Sequence, residues 1–154
     1  MSLSSAASSR TYDLVIYGAT GFTGQLAAEY VHKHYPTLKF ALAGRNKAKL
    51  EQVRSRICGS DSQVPLIVAD AVQDPASLSD LAASTKVIAN YAGTPFIDKA
   101  LPVVEACVRH GSCYIDITGE VPFQRVSYDR YVPTTFVAFI PSLRVFYCHC
   151  CPTK

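Results

Sequence analysis

Short apolar runs recur along the chain, and stretches of helical spacing separate them. The runs lack the polar alternation of a half-exposed strand, a pattern that is typical of parallel strands buried on both faces of a sheet. They predict five strands, at Asp13–Tyr17, Phe40–Ala43, Leu66–Ala69, Val87–Asn90 and Tyr114–Ile117.

The intervals between these runs carry the signals of amphipathic helices. Asn46 and Asp74 are candidate N-caps, because their side-chain oxygens can accept a backbone N–H of the first turn. Leu26, Tyr30 and Val31 recur at helical spacing and predict the buried face of the first helix. Four helices are predicted, over Gln25–His34, Lys47–Ile57, Pro75–Ala83 and Pro95–His110.

Strands and helices alternate strictly, which predicts an α/β domain with a Rossmann-like, doubly wound parallel sheet. The composition agrees, since the 154 residues are 49% hydrophobic and 18% charged, and such a chain can bury a core. The formal net charge of +3 is too small to indicate a nucleic-acid partner. No apolar stretch reaches the roughly 18 residues that a membrane span needs, so we expect no transmembrane segment.

Glycines punctuate the segment that joins the first predicted strand to the first predicted helix. In its G-x-x-G-x-x-G pattern, Gly18 allows a tight turn, Gly21 allows a pyrophosphate to approach, and Gly24 allows the helix to pack on the sheet. The helix N-terminus adds free N–H groups and a positive dipole end. A glycine-rich turn without a ligand is the alternative. The candidate cofactor-binding residues here are Gly18, Thr20, Gly21, Phe22, Thr23 and Gly24.

The end of the second predicted strand indicates which dinucleotide is bound. An NAD-preferring domain usually places an acid there, about 20 residues after the glycines, to bind the ribose 2′-hydroxyl. This chain has Arg45 and no acid, and a guanidinium is suited to a 2′-phosphate. The prediction is therefore NADP(H) as cofactor, with Arg45 as a binding residue or, alternatively, as a solvated surface charge.

Two other strand ends carry candidate cofactor contacts, because ligands of open α/β sheets bind beyond the carboxyl ends of the strands. Asp70 follows the third strand and either accepts from the adenine amine or forms a cap or turn. Asn90, Ala92 and Gly93 follow the fourth strand and are expected near the nicotinamide ribose, unless this segment is a plain strand-to-helix turn.

Acids and cysteines nearer the C-terminus give weaker signals. Asp116 and Glu120 lie at the end of the fifth strand, and we expect solvated or capping acids there rather than a general acid or base. The segment Cys148–Cys151 also contains a histidine, but adjacent ligands strain a tetrahedral metal site. No metal site is predicted, and no catalytic residue is identified.

Taken together, the motifs resemble a known family. Tyr12–Tyr17 is followed by GATGFTG, ALAGRN, NYAGTPF and YIDITGEVPF, in an order and spacing that resemble the N-terminal domain of the saccharopine dehydrogenase-like oxidoreductases over residues 12–125. The resemblance implies a Rossmann domain that binds NADP(H), followed by a larger domain that completes the site for a small-molecule substrate. The family includes saccharopine reductases and mycobacterial enoyl reductases that act on lipid precursors. The resemblance supplies no catalytic residue.

The resemblance also divides the chain into three parts. Residues 1–11 are expected to be a disordered tail, 12–125 the dinucleotide-binding domain, and 126–154 an atypical apolar, cysteine-containing tail. Because a family member continues into a substrate domain, the chain is interpreted as truncated or replaced at its C-terminus. Pro133 and Pro141 are expected to break any long helix. Phe136–Ile140 is expected either to add a strand or to stay exposed and promote self-association.

Three functional hypotheses remain open. The first is the NADP(H)-binding domain of an oxidoreductase, binding-competent in this chain but weakly active or inactive. The second is a non-catalytic dinucleotide-binding module. The third is an atypical short-chain dehydrogenase, which needs a Tyr-x-x-x-Lys pair, and the matching string Tyr35–Lys39 lies between the first helix and the second strand, far from the expected cleft. With no apolar signal core at the N-terminus, an intracellular location is expected, in the cytoplasm, in the mitochondrion or associated with lipid.

Overall fold

One sheet of parallel strands organises residues 10–137 and 146–147, the part of the chain that the computed structural model describes. In this part the strands are β1 (Tyr12–Tyr17), β2 (Phe40–Gly44), β3 (Leu66–Val68), β4 (Thr85–Asn90), β5 (Cys113–Asp116) and β6 (Phe146–Tyr147). Their spatial order is β3-β2-β1-β4-β5-β6. The order reverses beside β1, which pairs with β2 on one side and with β4 on the other. The predicted α/β, doubly wound fold is confirmed, and each of the five predicted strands is placed to within a residue or two.

Helices connect the strands, and side-chain caps fix where two of them begin. Within the described residues they are α1 (Phe22–His34), α2 (Lys47–Cys58), α3 (Pro75–Ser84), α4 (Phe96–Lys99), α5 (Leu101–His110) and α6 (Val121–Val137). The Asn46 side chain accepts the N–H of Lys49 at 3.0 Å, and the Asp74 side chain accepts that of Ser77 at 3.3 Å. Both predicted N-caps are therefore confirmed.

The helix predicted over Pro95–His110 is instead two helices, α4 and α5, that meet at Ala100. Pro102 explains the break, because a proline cannot donate to a preceding turn but is tolerated in the first turn of a new helix. Gly111 ends α5 in the left-handed region, with φ of 66°, a conformation that glycine adopts without a steric penalty.

Alternate residues of β1 face opposite sides of the sheet and build two cores. Val15 and Tyr17 belong to one core with buried residues of α3 and α5, among them Leu78 and Val103. Ile16 belongs to the other core, with buried residues of α1 and α2. Burial on both faces is why the strands carry continuous apolar runs.

The buried face of α1 differs from the one that helical spacing predicts. Leu26 and Tyr30 are 51% and 56% exposed, whereas Gly24 and Ala28 are buried. A Cβ at Gly24 would lie 2.3 Å from the carbonyl oxygen of Gly18. The helix therefore lies so close to the sheet that small residues form much of the contact and Leu26 and Tyr30 point outward, while Val31, the third predicted residue, packs against the core as expected.

Arg10 anchors the start of the described chain to the amino edge of the sheet. Its guanidinium donates to the carbonyl oxygens of Ala82 at 2.6 Å and Thr85 at 2.7 Å. It also donates to the Ser112 hydroxyl and to the carbonyl of His110. Arg10 falls in the segment expected to be a disordered tail, yet it is held by four acceptors, and residues 1–9 lie outside the described part.

Pro133 does not break the last helix, contrary to expectation, since α6 continues through it to Val137. A proline removes one hydrogen bond, to the residue four positions earlier. Phe123 and Tyr131, on the preceding turns, are 0% and 8% exposed and pack into the core, which offsets that loss. The helix also crosses residue 125, so the domain boundary placed there stays a prediction.

The strand expected at Phe136–Ile140 is not found where the structure describes these residues. Phe136 and Val137 belong to α6, and residues 138–140 lie outside the described part. A two-residue strand further along the chain, β6, pairs with β5.

The Cys148–Cys151 segment is also outside the described part. Within residues 10–137 and 146–147, no helix is long and apolar enough to cross a membrane, and no cluster of metal-ligating side chains occurs.

Candidate functional site

A cleft of about 210 Å³ opens at the carboxyl edge of the sheet, beside the reversal in strand order. Open α/β sheets bind their ligands at this position. Segments that follow β1, β2, β3 and β4 all contribute to its walls. The residues that line it are Tyr17, Gly18, Thr20, Gly21, Gly44, Arg45, Asp70, Ala71, Val72, Tyr91, Ala92, Gly93 and Lys99.

The floor of the cleft is the glycine-containing loop between β1 and α1. Gly18 has φ of 81°, and a Cβ there would lie 2.5 Å from the backbone nitrogen of Ala92. No side chain larger than hydrogen fits, because the loop after β1 touches the loop after β4. Gly21 is the N-cap of α1 and makes no side-chain cap hydrogen bond. The N-cap thus leaves the N–H groups of the first turn available, as an anion-binding helix end requires.

The predicted residues of the glycine segment divide into two groups. Gly18, Thr20 and Gly21 line the cleft. Phe22 and Thr23 do not. Both side chains are exposed, Phe22 by 80%, and the backbone of these residues forms the first turn of α1. Gly24 is buried against Gly18 and does not line the cleft either, so its role is the close packing of α1.

At the β2–β3 side of the cleft, Arg45 is exposed directly after β2 and Asp70 is half-buried after β3. The Asp70 carboxylate accepts the N–H groups of Val72 at 2.9 Å and Gln73 at 3.2 Å. These two bonds lower the pKa of Asp70, with a smaller contribution from the charge of Arg45. Asp70 therefore forms a turn, which was one of its two predicted roles.

Tyr17 is a cleft residue that the sequence analysis assigned to the strand alone. It is 5% exposed, and its hydroxyl accepts the N–H of Ala71 at 3.2 Å. Burial raises the pKa of Tyr17, so the phenol stays neutral. The bond ties the loop after β3 to the end of β1 and fixes one wall. A hydroxyl on the last residue of the strand, directly before the glycine segment, is the signal that would have indicated this role.

Asn90 does not line the cleft, although the sequence analysis placed it among the cofactor contacts. It is fully buried; its side-chain oxygen accepts the N–H of Ala92 at 2.8 Å, and its amide donates to the Tyr114 hydroxyl at 3.0 Å. The side-chain amide makes both of these hydrogen bonds behind the wall. It holds Ala92 and Gly93, which do line the cleft, and Gly93 has φ of 42°.

The two acids after β5 behave differently from each other. Glu120 caps α4 by accepting the N–H of Phe96, as expected of a capping acid. Asp116, expected to be solvated or capping, is 8% exposed; one oxygen accepts the N–H of Thr118 at 2.9 Å, and the other is buried without a hydrogen-bond partner among the described residues. Burial raises the pKa of Asp116, against the effect of the Thr118 bond.

Lys99 is a charged cleft residue that the sequence analysis missed. It ends α4, and its ammonium donates to the carbonyl of Thr94 at 2.7 Å. Its position depends on where the short helix turns, which local patterns do not give. Tyr91, also missed, is half-buried directly after β4, and burial raises the pKa of its phenol.

The Tyr-x-x-x-Lys string lies at the opposite edge of the sheet. Tyr35 caps the C-terminus of α1, and the carbonyl of Lys39 accepts the N–H of Asp13 at the start of β1. A groove of about 420 Å³ occurs at this edge, lined by Tyr12 and Phe40 among others. Because these are the amino ends of the strands, this groove is not where such a sheet binds a cofactor.

The cleft fits a phosphorylated dinucleotide on the chemistry of its lining. A pyrophosphate needs close backbone approach, which Gly18 and Gly21 allow because they carry no side chain, and N–H donors, which the first turn of α1 leaves without intrahelical partners. The N–H groups of Gly18 and Gly21 themselves donate to backbone carbonyls. A 2′-phosphate needs a cation and no competing acid at the end of β2, where Arg45 stands. These residues would hold the cofactor.

Comparison with known proteins identifies relatives of the chain. Residues 14–135 match the family described as the saccharopine dehydrogenase NADP binding domain. The trans-acting enoyl reductases of Mycobacterium leprae and of Mycobacterium tuberculosis H37Rv are each 43% identical to the chain, over 120 and 122 residues. These matches cover 78% and 79% of this chain but 28% and 29% of the two relatives. The chain thus spans less than a third of the length of these curated relatives.

Solved structures share the fold at lower sequence identity. Apo saccharopine dehydrogenase (L-Glu forming) from Saccharomyces cerevisiae gives a TM-score of 0.61 at 16% identity, covering 75% of this chain and 23% of that chain. Citrobacter triphenylmethane reductase, solved in complex with NADP(H), gives a TM-score of 0.59 at 21% identity and covers 81% of this chain and 46% of that chain. At such identities the likeness shows the fold alone.

Proposed function

We propose that this chain, which belongs to the saccharopine dehydrogenase NADP-binding domain family, supplies the cofactor site of an NADP(H)-dependent reductase. The cofactor of the domain is NADP, which when bound supplies the hydride, so the residues of the chain bind and orient it. The observation that carries the proposal is the cleft, which combines a floor of glycines with an arginine at the end of β2.

Each part of the cleft has a proposed role. The first turn of α1 holds the pyrophosphate with the N–H groups that a helix start leaves without intrahelical partners, and the glycines of the preceding loop let the phosphates approach. Arg45 binds the 2′-phosphate through a charge-assisted contact. Ala92 and Gly93 flank the nicotinamide half, and Asn90 holds them in place from behind.

The reaction is proposed from the relatives. Their name, trans-acting enoyl reductase, supports reduction of an enoyl substrate by the protein in which this domain works. A reductase must also position its substrate against the cofactor, and the described cleft of about 210 Å³ has its lining committed to cofactor binding. We therefore expect the 154-residue chain by itself to bind NADPH and to be weakly active or inactive.

Two measurements on the purified chain test this proposal. Calorimetric titration should show NADPH binding more tightly than NADH, because Arg45 takes the place of the acid that would bind a ribose 2′-hydroxyl. Absorbance at the NADPH band, with an enoyl thioester present, should show little steady-state oxidation. Equal affinities for the two nucleotides would contradict the assigned site, and robust oxidation would contradict the weak activity.

A further inference from the structure

Lys99 places a positive charge against the wall of the cleft that the loop after β4 forms. A Cβ built at Gly93 would lie 3.4 Å from the Lys99 ammonium nitrogen and 3.6 Å from its Cδ. The side chain therefore lies along this glycine, where no side chain separates it from the cleft. It is half-buried and lines the cleft.

The ammonium has binding capacity to spare. It carries three N–H donors, and the bond to the carbonyl of Thr94 uses one of them. Within the part of the chain that is described, the ion pairs are formed by other residues, and no carboxylate pairs with Lys99. Asp70, an acid that lines the cleft, accepts two backbone N–H groups in its own turn. Lys99 therefore keeps N–H donors and an uncompensated charge for an anionic ligand at this wall.

The position of Lys99 indicates which part of an anionic ligand it meets. Arg45 follows β2 and Lys99 follows β4, and these two strands lie on opposite sides of β1. The glycine floor, which follows β1, thus lies between the two cations. A dinucleotide with its 2′-phosphate at Arg45 and its pyrophosphate on the floor directs its nicotinamide half toward β4.

We propose that Lys99 is a cofactor-binding residue that contacts the phosphate on the nicotinamide side of the dinucleotide pyrophosphate. The inference rests on the proposed function, because it assumes the same occupant of the cleft. The two cations then bind different parts of one ligand. Arg45 distinguishes NADPH from NADH, and Lys99 binds a phosphate that the two nucleotides share.

A ligand series separates these roles in calorimetric titrations of the full chain. Lys99→Met should weaken NADPH and 2′-phospho-ADP-ribose by about tenfold each, the loss expected for a charge-assisted hydrogen bond. It should leave adenosine 2′,5′-bisphosphate unchanged, because that ligand lacks the nicotinamide-side phosphate. Lys33→Met, an exposed position in the last turn of α1, is the matched control and should change none of the three.

A second readout distinguishes charge contact from support of the loop. If Lys99 binds the phosphate, rising salt should weaken NADPH binding more steeply in the parent chain than in Lys99→Met, and Lys99→Arg should recover most of the affinity. Parallel salt dependences, or an unchanged affinity for NADPH in Lys99→Met, would overturn the inference. Failure of NADPH to bind the parent chain would instead contradict the proposed function itself.

Discussion

The carboxylate of Glu120 accepts the backbone N–H of Phe96 through both oxygens, at 3.1 and 3.0 Å. This contact joins the loop after β5 to the first residue of α4. At the other end of the same segment, the side chain of Asn90 accepts the N–H of Ala92. The backbone between the two anchors includes Gly93 and forms a wall of the cleft. The shape of that wall therefore depends on side chains that lie behind it.

Glu120→Ala should lower the free energy of unfolding by about 1–2 kcal/mol, because it removes a charge-assisted hydrogen bond and leaves the N–H of Phe96 unpaired. The affinity for NADPH should fall as the wall loosens. Glu105→Ala is a suitable control, since the exposed Glu105–Arg109 pair on α5 contributes about 0.5 kcal/mol or less. Urea denaturation gives the stability, and equal losses in the two variants would show that the Phe96 contact does not hold the wall.

Arg10→Ala should destabilise the fold by about 2–3 kcal/mol, because it leaves partly buried carbonyl groups at the ends of α3 and α5 without their charged donor. Arg109→Ala removes the same side chain from an exposed site with 68% side-chain exposure, and it should cost about 0.5 kcal/mol or less. Thermal denaturation of the two variants measures this difference in stability. A midpoint for Arg10→Ala within error of that for Arg109→Ala would mean that the guanidinium contacts are not formed in solution.

The elements that the sequence predicted well depend on interactions between near neighbours. The side chains of Asn46 and Asp74 accept N–H groups three residues ahead, so a short window contains the whole interaction. Continuous apolar runs likewise report burial on both faces of a parallel sheet. The strands and the caps were therefore predictable without knowledge of the fold.

The features that the sequence missed depend on contacts between distant segments. Asn90 turns away from the cleft because its amide meets Tyr114, 24 positions later. Leu26 and Tyr30 on α1 are exposed because Gly24 brings the helix against Gly18. Lys99 reaches the cleft because the chain turns at Ala100 and not earlier. None of these relationships leaves a periodic signal in the sequence.

Gly21→Val should abolish NADPH binding, or weaken it at least tenfold, while the fold survives. The cradle needs close backbone approach, and a β-branched side chain would stand where the pyrophosphate lies. A Cβ at Gly21 would lie 3.3 Å from the carbonyl oxygen of Gly18, a tight contact that a backbone shift of a few tenths of an ångström relieves. Gly119→Val, where nothing lies within 4 Å of the Cβ, is the control. Unchanged affinity in a folded Gly21→Val chain would place the cofactor elsewhere.

The stability of Asp116→Asn relative to the parent should rise with pH. Burial raises the pKa of Asp116 above its ordinary value of 3.8, so the folded state favours the protonated acid. That favourable contribution is complete below pH 3.8 and is lost as pH rises through the folded-state pKa. The asparagine stays neutral and keeps an oxygen that can accept from Thr118. Urea unfolding of both chains from about pH 3 to about pH 7 measures the difference, and a difference independent of pH would contradict the buried acid.

Titration of Arg45→Ala with NADPH and NADH tests the central claim most directly. If Arg45 binds the 2′-phosphate, the variant should lose about tenfold or more in affinity for NADPH, the loss of a charge-assisted contact. Its affinity for NADH, which lacks that phosphate, should change less than about twofold. Lys47→Ala, an exposed cation at the start of α2, controls for the loss of charge alone. A selective loss of NADPH binding is the predicted result, and equal losses for both nucleotides would contradict the account.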